Sequence, residues 1–250
     1  MSCYREWIKD RSKEFGPIVL ALDYSSYDRR ELIRRSIKIV EEVAPYLCGI
    51  KINRHLILPL DLHTEVSKII DSAHALDLPV LMDCKINDIG YTNRIIAQQY
   101  FGAGFDAVTA NPFIGWENGL KPVFELVRKE KKGIVLLGYM SHEGASEGYG
   151  QKVIDPKTGS LKSQYSIFAE KAVMWNADGV VVGATHPEKI SEIRGILMGE
   201  IPIYSPGIGV QGGDARITLD AGATFLIVGR SLISSENPAA TARKLRRVVS

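Results

Sequence analysis

The chain has 250 residues, 45% of them hydrophobic and 24% charged, with a formal net charge of +2. This is the make-up of an ordinary globular domain with room for a sizeable core, and its near-balanced charge gives no sign of a nucleic-acid or other polyanion partner. Three cysteines, Cys3, Cys48 and Cys84, lack paired metal-ligand spacing, which argues against a disulfide framework and a zinc site and fits a reducing cytoplasm. Segment 1–16 is too charged for a secretory signal, and no apolar run nears the ~20 residues that span a bilayer. A soluble cytoplasmic protein is expected.

Short β-branched apolar runs recur along the chain at 18–22, 47–52, 80–83, 107–110, 134–139, 179–182, 201–204 and 225–228. Each reads as a strand buried on both faces, as parallel strands are. Between them, 28–43, 62–76, 90–101 and 119–130 carry apolar residues at helical spacing, and 187–197 and 238–249 each open on a proline suited to a first helical turn. Eight such alternations predict a closed (β/α)8 TIM barrel in a single domain over 1–250, with 1–16 as an N-terminal extension. The open doubly wound alternative lacks its G-x-G-x-x-G after the first strand. One stretch breaks the rhythm: 141–163 is polar and turn-rich, with Gly144, Gly148, Gly150, Asp155, Pro156 and Gly159. It reads as a long loop after strand five, either a lid on the catalytic rim or a surface insertion.

Barrel active sites lie at the C-terminal ends of the strands. There the first three strands present Asp23, Lys51 and the run Asp83-Cys84-Lys85-Ile86-Asn87-Asp88. Strand alternation puts Asp83 and Lys85 on one face and Cys84 on the other. Isolated buried charges are very costly, so Asp23, Lys51, Asp83, Lys85 and Asp88 are expected to neutralise one another, as a catalytic network or a purely structural one. A lysine flanked by carboxylates stays protonated, which suits Lys85 to donating a proton rather than to Schiff-base attack.

A second signal follows strands seven and eight. Ser205-Pro206-Gly207-Ile208-Gly209-Val210-Gln211-Gly212-Gly213-Asp214 is glycine-rich, and Val228-Gly229-Arg230-Ser231 adds an arginine. Glycine N–H groups, a following helix N-terminus and a bidentate guanidinium together predict a phosphate site. Ser141-His142 after strand five could bond a planar ring or merely cap a turn. His55, His63, His74 and His186 show no metal-ligand spacing, and Trp7, Trp116 and Trp175 read as packing residues.

Taken in order, Ala-Leu-Asp23, Ile-Lys51, Asp83-x-Lys85-x-x-Asp88-Ile89, Met140-Ser141-His142, Ser205-Pro-Gly-Ile-Gly-x-Gln211-Gly-Gly-Asp214 and Val228-Gly-Arg230-Ser231 resemble orotidine 5′-phosphate decarboxylase, in its short archaeal-type form, over about 17–240. The resemblance implies conversion of orotidine 5′-monophosphate to uridine 5′-monophosphate and CO2 in de novo pyrimidine synthesis, with no metal or organic cofactor. It also implies a homodimer with shared active sites, in which Asp88, Ile89 and Thr92 reach the neighbour's site. By position, Lys85 would protonate C6 and Asp83 would lie beside the departing carboxylate. Lys51 and Asp23 would hold the ribose, and Ser141 would meet the pyrimidine. Pro206, Gly207, Gly209, Gln211, Gly229 and Arg230 would hold or enclose the phosphate. Gly90 stands where that family commonly has a proline, and 147–163 is longer than in its shortest members. Two other readings are a metal-dependent sugar-phosphate lyase or decarboxylase resembling hexulose-phosphate synthase, which shares D-x-K-x-x-D, and a non-catalytic nucleotide-binding barrel.

Overall fold

Eight parallel strands close on themselves: β1 (Ile18–Leu22), β2 (Gly49–Asn53), β3 (Val80–Ile86), β4 (Ala107–Ala110), β5 (Gly133–Tyr139), β6 (Gly179–Val182), β7 (Ile203–Pro206) and β8 (Phe225–Val228). Each pairs with its neighbours in sequence and β8 pairs with β1, so the predicted TIM barrel is the observed fold. This computed structural model describes residues 4–155 and 158–249; Cys3 and Pro156 lie outside the described residues.

The strands divide the core by parity. Inward residues include Val19, Ala21, Leu81, Ala107, Val135, Leu137, Val181, Tyr204, Phe225 and Ile227. Their outward neighbours, such as Ile18, Leu20, Leu22, Ile50 and Val108, pack under the helices. The helix Tyr4–Phe15 closes the barrel's lower end, placing Tyr4 and Ile8 among the inward residues, 2% and 1% exposed. Burying two such side chains contributes about 1.5–3 kcal/mol each. Arg5 bonds Asp178, and Arg11 bonds the Leu47 carbonyl at 3.1 Å, fixing the helix beneath the floor.

Several element boundaries differ from the sequence expectation for identifiable reasons. β3 continues to Ile86 through an irregularity: its register with β4 shifts between Met82 and Ile86, and Lys85 adopts φ 51°. The helix predicted from 62 begins as a π turn, Leu62–Val66, capped by Asp61, before the α-helix Ser67–His74. The one predicted from 119 starts at Lys121, because Asn118 takes φ 52°. Gly90 opens the helix Gly90–Gly102, and a Cβ there would lie 2.9 Å from the Asn118 backbone. Any residue with a side chain, proline included, would push that turn away.

The 141–163 stretch carries structure of its own. It holds a short helix, Ala145–Gly148, and an antiparallel pair of strands, Lys152–Ile154 with Leu161–Ser163. Lys162 ties this hairpin down, bonding Asp155 at 2.9 Å and Glu170 at 2.7 Å. The helix Gln164–Met174 then follows, absent from the sequence expectation. No helix among the described residues is long and apolar enough to cross a membrane.

Candidate active site

The inward parity of each strand runs on from the apolar interior to the upper rim, where it turns polar. Ala21 leads to Asp23, Gly49 to Lys51 and Asn53, Leu81 to Asp83 and Lys85, and Ala107 to Thr109; these polar residues line a cavity of about 170 Å³ at the C-terminal mouth. Its wall also includes Leu137, Met140, Ser141, Val181, Pro206, Gly207, Gln211, Gly229 and Arg230.

At one end, Asp83 is held between two ammonium groups. Lys51 Nζ donates to Oδ2 at 2.7 Å and Lys85 Nζ to Oδ1 at 2.7 Å. Thr109 Oγ1 donates to Oδ1 at 3.0 Å. Burial of this carboxyl opposes its charge, but Lys51 and Lys85 outweigh burial and hold it well below the usual carboxylate range. Lys51 is 6% exposed, so its charge depends on these partners. Lys51 also donates to Asn53, and Asn53 donates to Asp23. His55 Nε2 stands 3.4 Å from Asp23. Cys84 faces the other way, and burial pushes its thiol up to about 12, which removes it as a nucleophile.

The opposite end is made of backbone. Gly207, Gly209 and Gly212 have φ of 101°, 80° and 93°, a region that favours glycine. The loop folds back on itself through Gly209 N–H to the Gly213 carbonyl at 2.9 Å and Gly213 N–H to the Gly207 carbonyl at 3.0 Å. Ser141 Oγ donates to Gln211 Oε1 at 3.0 Å, joining the end of β5 to this loop. Arg230 is exposed at the start of the turn Arg230–Ile233, which follows Gly229 without a side-chain cap. One expectation is corrected. The helix after the glycine loop, Ala215–Asp220, is only six residues long and its first turn is capped by the Asp214 carboxylate, which accepts the Ile217 N–H at 2.9 Å. Its N-terminus is thus already occupied by a negative charge.

The structure therefore brings together Asp23, Lys51, Asp83, Lys85, Ser141, Pro206, Gly207, Gln211, Gly229 and Arg230. Asp88, Ile89, Thr92 and Gly209 do not line the cavity. The expected five-member network is corrected accordingly: Asp88 lies outside it, and Asp23 reaches Lys51 through Asn53 rather than directly. Asp88 and Ile89 are exposed ahead of the helix Gly90–Gly102, where the Asp88 N–H donates to Asn93 Oδ1 at 2.9 Å. Asn53 and Thr109 escaped the sequence reading. Parity could have found both: Asn53 is two residues beyond Lys51, and Thr109 is the only hydroxyl in an otherwise apolar strand. Away from the cavity, His74 Nε2 bonds Asp106 at 2.7 Å and His63 Nε2 meets Gln99 Oε1 at 3.1 Å. Trp116 and Trp175 pack with tilted rings, centroids 5.2 Å apart, beside Phe124.

Residues 16–245 match the model of the family described as "Orotidine 5′-phosphate decarboxylase / HUMPS family". An orotidine 5′-phosphate decarboxylase of Thermococcus kodakarensis is 38% identical over 234 residues, covering 93% of this chain and 96% of its own. The Methanosarcina mazei enzyme of that name is 36% identical, with 88% and 89% covered. Among solved structures, the Methanocaldococcus jannaschii orotidine 5′-monophosphate decarboxylase complexed with the inhibitor BMP superposes with a TM-score of 0.77 at 30% identity, covering 94% of this chain and 98% of that one. The Pyrococcus horikoshii enzyme gives 0.74 at 35%, covering 93% and 98%.

Proposed function

The chain belongs to the orotidine 5′-phosphate decarboxylase / HUMPS family, and we propose that within it the cavity decarboxylates orotidine 5′-monophosphate with Lys85 as the proton donor. The activity is that of an orotidine 5′-phosphate decarboxylase of pyrimidine biosynthesis. The observation that carries the assignment of roles is the triad Lys51–Asp83–Lys85 at one end of a cavity whose other end is a glycine loop with Arg230.

In this reading the substrate phosphate is held by Arg230, Gln211 and the backbone at Gly207 and Gly229, with Pro206 and Gly209 shaping the loop. Asp23 and Lys51 take the ribose, and Ser141 meets the pyrimidine edge. The C6–carboxylate bond breaks, its electron pair stays on C6, and CO2 leaves. Lys85 Nζ then gives C6 its proton, producing uridine 5′-monophosphate, and is recharged from water. An ammonium already fixed beside the reacting carbon stabilises the developing carbanion without reorganising. Phosphate binding at the far end contributes energy that closes the loop and orders the reactive end.

The sugar-phosphate alternative asks for a divalent cation. Asp83 already has two ammonium partners, so a divalent cation beside it would face repulsion from Lys51 and Lys85. That favours the metal-free decarboxylase. Asp88, Ile89 and Thr92 then serve the cavity of a second copy in a cytoplasmic homodimer; the exposed Ile89 and Tyr91, 68% and 77%, support that surface as the contact. The test follows the ultraviolet absorbance of orotidine 5′-monophosphate with purified protein in excess EDTA. Loss of the substrate band is expected; an unchanged spectrum, restored to activity only by a divalent cation, would overturn the reading.

A further inference from the structure

Thr109 stands where β3 leaves regular pairing, and its hydroxyl makes two bonds there at once. The residue is 1% exposed. Beside it, Lys85 adopts φ 51°, a left-handed conformation that is strained for a residue with a side chain. In this interval the β3–β4 register shifts, and the N–H of Lys85 donates to Thr109 Oγ1 at 2.8 Å. Because that N–H can only donate, the hydroxyl's own proton is free for Asp83 Oδ1, 3.0 Å away. Asp83 Oδ1 also receives Lys85 Nζ at 2.7 Å. Thr109 Oγ1 thus joins the backbone of Lys85 to the same carboxylate oxygen that receives the Lys85 ammonium.

We propose that Thr109 is a positioning residue for the decarboxylation, clamping the strained backbone of Lys85 to the Asp83 carboxylate so that the ammonium is held where C6 needs its proton. The inference rests on the function proposed above. A hydroxyl that served the fold alone would be tied to the β3–β4 seam and would affect melting more than turnover. A clamp on the proton donor acts after substrate is bound, so it shows in kcat rather than KM.

The test compares Thr109→Val, which keeps the shape and removes the hydroxyl, with Thr109→Ser, which keeps the hydroxyl. The valine protein should lose roughly 10- to 100-fold in kcat with KM within about threefold, and the serine protein should stay within about threefold of the parent in both. A crystal structure of the valine protein should show Lys85 out of the left-handed region or the Asp83 carboxylate turned from Lys85 Nζ. If the valine protein fails to fold, Thr109→Cys, similar in size but a weaker donor, should lose about threefold to tenfold in kcat. A kcat within about twofold of the parent in the hydroxyl-free variant overturns the proposal, as do equal losses in the valine and serine proteins. If the parent itself leaves orotidine 5′-monophosphate unchanged, the proposed function fails. The valine structure then decides the clamp on geometry alone: displaced Lys85 and Asp83 support it, and unmoved ones sink it.

Discussion

At the β1–β3 side of the cavity, position is set by charged side chains bonded to one another close to burial. At the β7–β8 side it is set by backbone, with glycines at positive φ and an exposed arginine. The first arrangement costs desolvation and needs every partner in place, so it is rigid before substrate arrives. The second rests on backbone bonds within the loop and on few side-chain bonds, of which Ser141–Gln211 is one. In the proposed reaction the side-chain network serves the reacting carbon and the glycine loop serves the phosphate. The division predicts that damage at the two sides reads out in different kinetic constants.

The largest effect should come from Lys85→Ala. Removing the proposed proton donor should lower kcat by about 10⁴-fold or more, while uridine 5′-monophosphate still binds within about tenfold. Calorimetric titration beside the absorbance assay measures both, and parallel loss of binding and turnover would erase the distinction between the two sides. Arg230→Ala should act the other way, costing roughly 10- to 100-fold in kcat/KM, mostly through KM, as expected for one charge-assisted bond to phosphate. A fall confined to kcat would assign Arg230 to the reactive end.

The smallest effect is on stability and concerns the reactive end alone. The folded pKa of Asp83 lies below its unfolded value of about 3.9, so its ion pairs contribute stability above that pH and lose it as pH falls toward the folded value. The melting midpoint of the parent should therefore drop on acidification below about pH 4 more steeply than that of Asp83→Asn. Parallel melting curves for the two proteins across that range would show that the network is not what acid disrupts.

The barrel was legible because its parallel strands are buried on both faces and so appear as apolar runs; 18–22, 107–110, 179–182 and 225–228 are strands to the residue. The helix Gln164–Met174 was not, since it follows a polar hairpin and its apolar residues do not form a single stripe. The role of Tyr4–Phe15 as the barrel floor was hidden for a related reason: charges dominate that segment, and only docking shows that Tyr4 and Ile8 point inward.

For the site, the Asp83–Lys85 pair followed from strand alternation, and the loop at the cavity's other end from its glycines. Local chemistry of this kind is carried by neighbours in the chain, so the sequence by itself determined the fold class, the two ends of the cavity and most of their residues. What only the tertiary structure decided were relations across strands: that Asn53 links Asp23 to Lys51, that Thr109 joins Lys85 to Asp83, and that Asp88 stands apart from its own cavity. Those depend on register and on the register shift between β3 and β4, which arise when distant segments pair and which no single segment encodes.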